Sequence, residues 1–354
     1  MGLFDIFKST SSVPTIRVCM MGGKGSGKSS VLASLYANTS ETLAGTKLYM
    51  LPSDSTTAIL GNKLTDLKEM FDSADMEDEV PAGIAGDYEI NIYSFSFGIK
   101  DSKTKLNIEF RDFPGETIKD DPELVSGFIK ESNAVLIAID TPHLMEEEGI
   151  FCETRNRCKA ITDFIKNNLK DGESAHKLFM LVPLKCEKYY HEGRMKEVCD
   201  KIKDVYSDLI TTLTSGYKTA IVCVITPILT LGDVVFKEFE KGEDGTVLIN
   251  KNGETDILPK SVVYKYKNSE AKYSPKYCEQ PLYYLLSYVS KEYQLSLNSA
   301  PNSILGKIKK KFESLFKLIS DDPSFLLEVA RLKRKQVKNK VSEGYIILSG
   351  NNLI

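Results

Sequence analysis

Eight residues near the start of the chain, Gly22-Gly23-Lys24-Gly25-Ser26-Gly27-Lys28-Ser29, restrict what it can fold into more than any other segment. The spacing Gly-x-x-x-x-Gly-Lys-Ser follows an apolar run over 15–21 and opens a helical pattern over about 28–38. In that setting the glycines let backbone N–H groups converge on a phosphate, and the start of the helix adds the positive end of its dipole. Lys28 is then placed to reach the β- and γ-oxygens and Ser29 to ligate Mg²⁺. Gly22, Gly23, Lys24, Gly25, Ser26, Gly27 and Ser30 line the cradle. A glycine-rich structural turn is the competing reading, and it requires neither the strand before nor the helix after.

A loop of this kind sits on a mostly parallel sheet, and the rest of the chain has the matching pattern. Strands are expected near 88–99, 105–111, 134–139, 178–182 and 220–225, alternating with helical stretches. That order predicts a three-layer α/β/α P-loop NTPase fold with a mostly parallel sheet over residues 14–298. The runs at 88–99 and 105–111 flank the polar turn Lys100-Asp101-Ser102 and should form an antiparallel hairpin. Two segments read as insertions. One, about 55–82, holds a helical stretch at 56–71 followed by Asp72, Asp75, Glu77, Asp78 and Glu79, expected as a solvated loop. The other, about 233–275, carries Asn252-Gly253 between two strand-like runs, a hairpin signal. A helix over about 280–293 closes the frame.

With 42% apolar and 27% charged residues among 354, and a net charge of −3, the chain has the composition of a globular protein. That charge argues against bulk binding of nucleic acid. The charge is uneven. Residues 301–354 hold eleven Lys/Arg against five Asp/Glu, leaving the remainder at a net −9. Seven scattered cysteines, with neither Cys-x-x-Cys nor a His in metal-ligand spacing, read as free thiols in a reducing cytosol. No apolar run reaches the roughly 18 residues of a membrane span, and no signal-peptide pattern opens the chain, so a cytoplasmic protein is expected. Residues 1–13 read as an apolar hook (Leu3, Phe4, Ile6, Phe7) on a Ser/Thr-rich tether, docking on the protein's own surface ahead of a partner or membrane.

Two further runs carry chemistry. Asp112-Phe113-Pro114-Gly115-Glu116 follows the alternating strand residues Leu106, Ile108 and Phe110. A carboxylate there can hold Mg²⁺ while the Gly115 amide faces the γ-phosphate. Leu184-Lys185-Cys186-Glu187 ends the strand near 178–182, and an acidic side chain at such a place accepts two hydrogen bonds from the guanine edge, a donor pair that adenine lacks. An ordinary solvated Lys/Glu loop is the alternative. Thr226, after the last parallel strand, is a weaker candidate for the other wall of a base pocket.

These loops, in this order, resemble P-loop GTPases of the translation-factor and Ras-like class. The runs Met20-Met21-Gly22 through Leu35-Tyr36, Phe110 through Gly115, Val182 through Glu187, and Pro275-x-Tyr277-Cys278-Glu279-Gln280-Pro281-Leu282 are similar to bacterial double-GTPase-type domains of predicted conflict or anti-phage systems. The resemblance covers about 15–295. It implies GTP/GDP and Mg²⁺ as ligands, Lys24, Lys28, Asp112, Gly115 and Glu116 around the reacting phosphate, and Lys185, Glu187 and Thr226 at the base. It also implies a molecular switch that controls a partner effector.

The departures from that class are specific. Leu184 stands for Asn and Glu187 for Asp in the base loop; Glu116 stands where many relatives place a water-orienting Gln; Lys24 replaces a Gly. Residues 81–87 contain no Thr for Mg²⁺, with Thr56 and Thr57 as distant substitutes. Slow unaided hydrolysis is therefore expected. A nucleotide-bound scaffold without turnover and an ordinary P-loop ATPase are the competing functions. Residues 299–354 are expected as a basic helical extension, with Lys307, Lys309, Lys310, Lys311, Arg331, Lys333, Arg334 and Lys335 beside apolar stripes. Its basic faces would meet the acidic 72–79 loop, a partner protein or anionic lipid, in that order, or another copy of the chain. A chain cut after Asn298 is accordingly expected to fold and bind nucleotide.

Overall fold

A computed structural model describes residues 13–74, 79–81, 90–102, 105–169, 176–215, 221–252, 256–297 and 313–354. Its strands are β1 (Thr15–Met21), β2 (Leu48–Pro52), β3 (Glu79–Pro81), β4 (Asn91–Ile99), β5 (Lys105–Asp112), β6 (Ala134–Asp140), β7 (Lys177–Leu184), β8 (Ile221–Ile225), β9 (Val234–Phe239), β10 (Ile249–Asn252), β11 (Asp256–Pro259), β12 (Ser261–Tyr266) and β13 (Ile346–Ser349). Eight of them form one sheet in the order β13-β8-β7-β6-β1-β5-β4-β2. The run from β8 to β5 is parallel, while β13 at one edge and β4 and β2 at the other each join through antiparallel pairing. The fold is therefore the mostly parallel α/β/α arrangement that the sequence pattern predicts.

The strands show why. Every residue of β6 is buried, as a parallel strand covered on both faces requires. Along β1, Ile16, Val18 and Met20 enter one core layer and Cys19 and Met21 the other. The first layer is closed by helices Lys28–Ala37, Asp54–Ser73 and Gln280–Leu297, the second by Pro122–Glu131, Cys158–Asn168, Met195–Val205 and Ser207–Ser215. The hairpin expected from 88–111 is present as β4 and β5, with Phe95 opposite Ile108. Among the described residues no helix is long and apolar enough to cross a membrane.

Three features differ from the sequence reading. The first is β2, which extends the sheet beyond β4 with Met50 opposite Phe97. The second is that the two insertions meet: β3 pairs with β12, and β12 with β9, in a three-stranded antiparallel sheet. The hairpin signal is realised as β10 and β11, with Asn252 opposite Asp256, but its Gly253 lies outside the described residues. Residues 75–78 of the acidic 72–79 stretch, the 82–87 segment and the 1–12 hook lie outside them as well.

The third concerns the tail. Lys307 through Lys311 lie outside the described residues, but 313–354 are built into the main core. Helices Glu313–Asp321 and Ser324–Lys333 bury Leu315, Phe316, Ile319, Phe325, Val329 and Leu332. Phe325 packs edge-on against Phe97 of β4 at 6.3 Å, and Phe316 against Tyr293 at 5.5 Å. The Lys47 N–H donates to Glu328 Oε2 at 2.9 Å. Finally β13 joins the sheet beside β8, and Leu353 and Ile354 are buried. The apolar stripes legible in the sequence are the physical reason, because they cover the sheet face that helix Gln280–Leu297 leaves open.

Candidate nucleotide site

The loop after β1 takes the backbone that its glycines permit. Gly22, Gly25 and Gly27 have φ of 146°, 71° and 100°, in the region that L side chains rarely adopt. A Cβ on Gly22 would lie 2.9 Å from the Ala138 carbonyl oxygen, and one on Gly23 only 1.7 Å from that of Arg155. Helix Lys28–Ala37 starts directly after Gly27, so its unpaired first N–H groups face the loop.

At the mouth of that loop three of the sequence-predicted residues come together. Lys28 Nζ donates to the Gly22 carbonyl at 3.2 Å and stands 3.5 Å from Asp112 Oδ1. Ser29 Oγ donates to Asp112 Oδ2 at 2.8 Å. Asp112 ends β5 opposite Met20, which is why its carboxylate arrives beside the loop. Gly115 follows so closely that a Cβ there would sit 3.0 Å from the Gly22 carbonyl oxygen. Ser26 is buried with its Oγ unpartnered, while Lys24 and Ser30 are half-buried. Glu116 lies farther out, paired with Arg157 at 3.3 Å.

Ser29 and Asp112 present hard oxygen donors at hydrogen-bond separation, which fits Mg²⁺. Among the described residues no group of three or more His, Cys, Asp or Glu could hold a metal. A cation held by these two oxygens would have the rest of its shell open to water, of which Mg²⁺ usually keeps several. Thr56 is committed elsewhere: fully buried, its Oγ1 accepts from the Ser94 N–H at 2.8 Å. Thr57 donates to the Ser53 carbonyl.

Behind the loop is a buried polar brace of which sequence reasoning singled out Lys185 alone, and that for the base. Lys185, in left-handed backbone at φ 54°, sends Nζ to the Gly25 carbonyl at 2.8 Å and to Asp140 Oδ2 at 2.7 Å. Asp140 is fully buried at the end of β6, and its Oδ1 accepts from His143 Nδ1 at 2.6 Å. Burial alone would raise the Asp140 carboxyl, but His143 and Lys185 beside it hold it below the usual range. Burial also lowers the His143 imidazole, against the opposing pull of the Asp140 carboxylate. Asn156 Oδ1 accepts from the Asp140 N–H at 2.7 Å, and Arg155 donates to the Lys24 carbonyl at 2.7 Å. Asp140 had a signal, being a charge that ends an unbroken apolar run at the sheet's carboxyl edge, where ligands of open α/β sheets bind. Arg155 and Asn156 had none.

Glu187 opens helix Glu187–His191 and is turned inward, 2% exposed, where its Oε1 accepts from the Leu231 N–H at 3.0 Å. Burial pushes its carboxyl up to about 7, against the opposing pull of backbone N–H groups. Thr226 follows β8 and is buried, with its Oγ1 unpartnered. Leu184 packs over the loop, since a Cβ on Gly27 would meet its Cδ1 at 3.2 Å.

No family model matches the chain, and no curated protein matches it. Solved structures do. The GTPase-like domain of S. cerevisiae Ski7, bound to GTP, is 14% identical with a TM-score of 0.38 over 72% of this chain and 50% of that one. The same domain bound to GDP and inorganic phosphate is 15% identical, with a TM-score of 0.36 over 71% and 50%. Roco2 RocCORdC of Methanosarcina barkeri bound to GDP is 14% identical, with a TM-score of 0.27 over 64% and 47%. This chain thus matches about half the length of each, and at these scores its fold rests on its own strand order and loop geometry.

Proposed function

We propose that the chain binds GTP and GDP with Mg²⁺ and works as a molecular switch with slow hydrolysis, controlling a partner effector. The observation that carries this reading is the meeting of Lys28, Ser29 and Asp112 at the mouth of the glycine loop. The loop's inner side is pinned by Lys185 from the segment proposed to read the base. Lys28 would trade its Gly22 carbonyl for the β- and γ-oxygens. Ser29 and Asp112 would hold Mg²⁺, which supplies charge neutralisation on those oxygens. Gly115, already against the loop, offers its amide to the γ-phosphate. Glu187 is the proposed guanine reader, with Thr226 on the neighbouring loop. Residues 112–125 and those near 81–90 are the proposed switch segments. A bacterial defence or signalling setting has the sequence resemblance as its sole support.

Calorimetric titration with GTP, GDP and ATP, with and without Mg²⁺, tests this directly. Tight GTP and GDP binding that depends on Mg²⁺, with weak ATP binding, is expected. Equal affinity for ATP would remove the guanine assignment.

A scaffold without turnover is the second reading, favoured by the Glu116–Arg157 pair, which holds away a carboxylate that would otherwise orient water. A single-turnover assay separates the two. Slow hydrolysis, below about 1 s⁻¹, slowed further by Asp112→Asn or Glu116→Ala with nucleotide still bound, supports the switch. Complete absence of product supports the scaffold.

A further inference from the structure

Between the brace and the outer helices, two thiols face each other. Cys152 and Cys158 have their sulfurs 3.6 Å apart, both buried, at the two ends of the segment Cys-Glu-Thr-Arg-Asn-Arg-Cys. Three of the residues between them, Arg155, Asn156 and Arg157, reach the glycine loop or the residues beside it. The Arg155 carbonyl lies against Gly23, where there is no room even for a methyl group, and its guanidinium holds the Lys24 carbonyl. Asn156 brackets the Asp140 backbone from both sides and also sends Nδ2 to Cys152 Sγ at 3.7 Å. Arg157, in left-handed backbone at φ 50°, pairs with Glu116 beyond Gly115.

We propose that Cys152 and Cys158 are a dithiol modification site, oxidised by peroxide to a disulfide that displaces the 152–158 segment and weakens nucleotide binding. The loss of affinity rests on the phosphate-loop reading above; the disulfide and its effect on the loop backbone do not. Cys152 is the thiol suited to react first. The hydrogen bond from Cys158 lowers its pKa, helped by Asn156 and opposed by burial. Burial instead raises Cys19, Cys186, Cys199, Cys223 and Cys278.

The step balances. The Cys152 thiolate attacks one peroxide oxygen, the O–O bond breaks, and hydroxide leaves and takes up a proton as water. Cys158 then attacks the resulting sulfenic sulfur. The S–S bond forms, the S–O bond breaks, and the Cys158 proton leaves with the hydroxyl as a second water. A dithiol reductant reverses it. To bond, the sulfurs must close from 3.6 Å to about 2.05 Å. Cys152 opens the short helix Cys152–Asn156, so that closure moves the turn that presents Arg155. Phosphate sites tolerate displacements of only about 0.5 Å.

The full chain is treated with hydrogen peroxide and compared with the dithiothreitol-reduced chain by peptide mass mapping, amide hydrogen exchange over 22–29, and GTP titration. We expect a Cys152–Cys158 linkage, faster exchange over 22–29, and GTP affinity lower by about tenfold or more, all reversed by the reductant. Cys152→Ser and Cys158→Ser should each keep the reduced affinity and lose the response. A linkage that leaves exchange over 22–29 unchanged, or no linkage between these two cysteines, overturns the proposal; both readouts come from the wild-type chain and do not depend on the variants folding. If the reduced chain binds no GTP, the nucleotide reading fails, and exchange over 22–29 still decides the dithiol switch.

Discussion

At the scale of single residues, Lys28 and Glu187 make the sharpest predictions. Lys28 holds the glycine loop and faces Asp112, so Lys28→Ala removes the cation proposed to meet the phosphate oxygens. Charge-assisted contacts contribute about 1.5–3 kcal/mol each, and calorimetry should find GTP binding in Mg²⁺ weakened at least about tenfold. Glu187 has a folded pKa of about 7 against an ordinary 4.5, so the folded chain keeps a proton that the unfolded chain gives up. Stability tied to that proton is complete below about pH 4.5 and declines as pH rises to about 7, by on the order of 3 kcal/mol. Glu187→Gln should flatten this slope, read as urea midpoints at about pH 5 and about pH 7.5. If the carboxylate reads guanine, GTP selects its deprotonated form, and affinity should rise between about pH 6 and 8 in the wild type but not in the variant. The residues proposed for phosphate and metal could be singled out in the sequence because the spacing within each motif is local. Asp140, His143, Arg155 and Asn156 were not, because they act through contacts across the sheet's edge that no spacing records.

At the scale of elements, the strands that could be read were those whose burial repeats along the chain. β6 is apolar up to its final Asp140 and β5 alternates as far as Phe110, so both announce themselves. β2 is five residues ending in Pro52, and β3 is Glu79-Val80-Pro81; each exists because a distant partner pairs with it. The tail helices were legible as amphipathic, but what covers their apolar side was not. Since that side joins the main core and β13 completes an edge beside β8, removal of residues 299–354 exposes the core. The truncated chain should lack a cooperative thermal transition and be digested rapidly by protease, reversing the expectation drawn from the sequence. A transition like that of the full chain would show instead that the tail is dispensable.

For the whole molecule, nucleotide and metal should act as one stabilising unit. Ligand that binds only the folded chain adds about 2.7 kcal/mol at a hundred times its Kd. GTP with Mg²⁺ should therefore raise the melting temperature by several degrees, and EDTA should remove most of that gain while GTP remains present; an EDTA-resistant gain would detach the metal from the site. The small sheet joining the two insertions has a different consequence, in time rather than in energy. Pro81 pairs with Ser261, 180 positions later in the chain. At roughly 5–20 residues per second, the ribosome takes about 9–36 s to make the partner that β3 requires. The glycine loop and β1 are already made when that interval begins and the other parallel strands emerge during it, while Glu79-Val80-Pro81 waits as an unpaired edge. Substitutions that make this stretch stickier should first lower the yield of nascent chains, before any change in the finished protein can be measured.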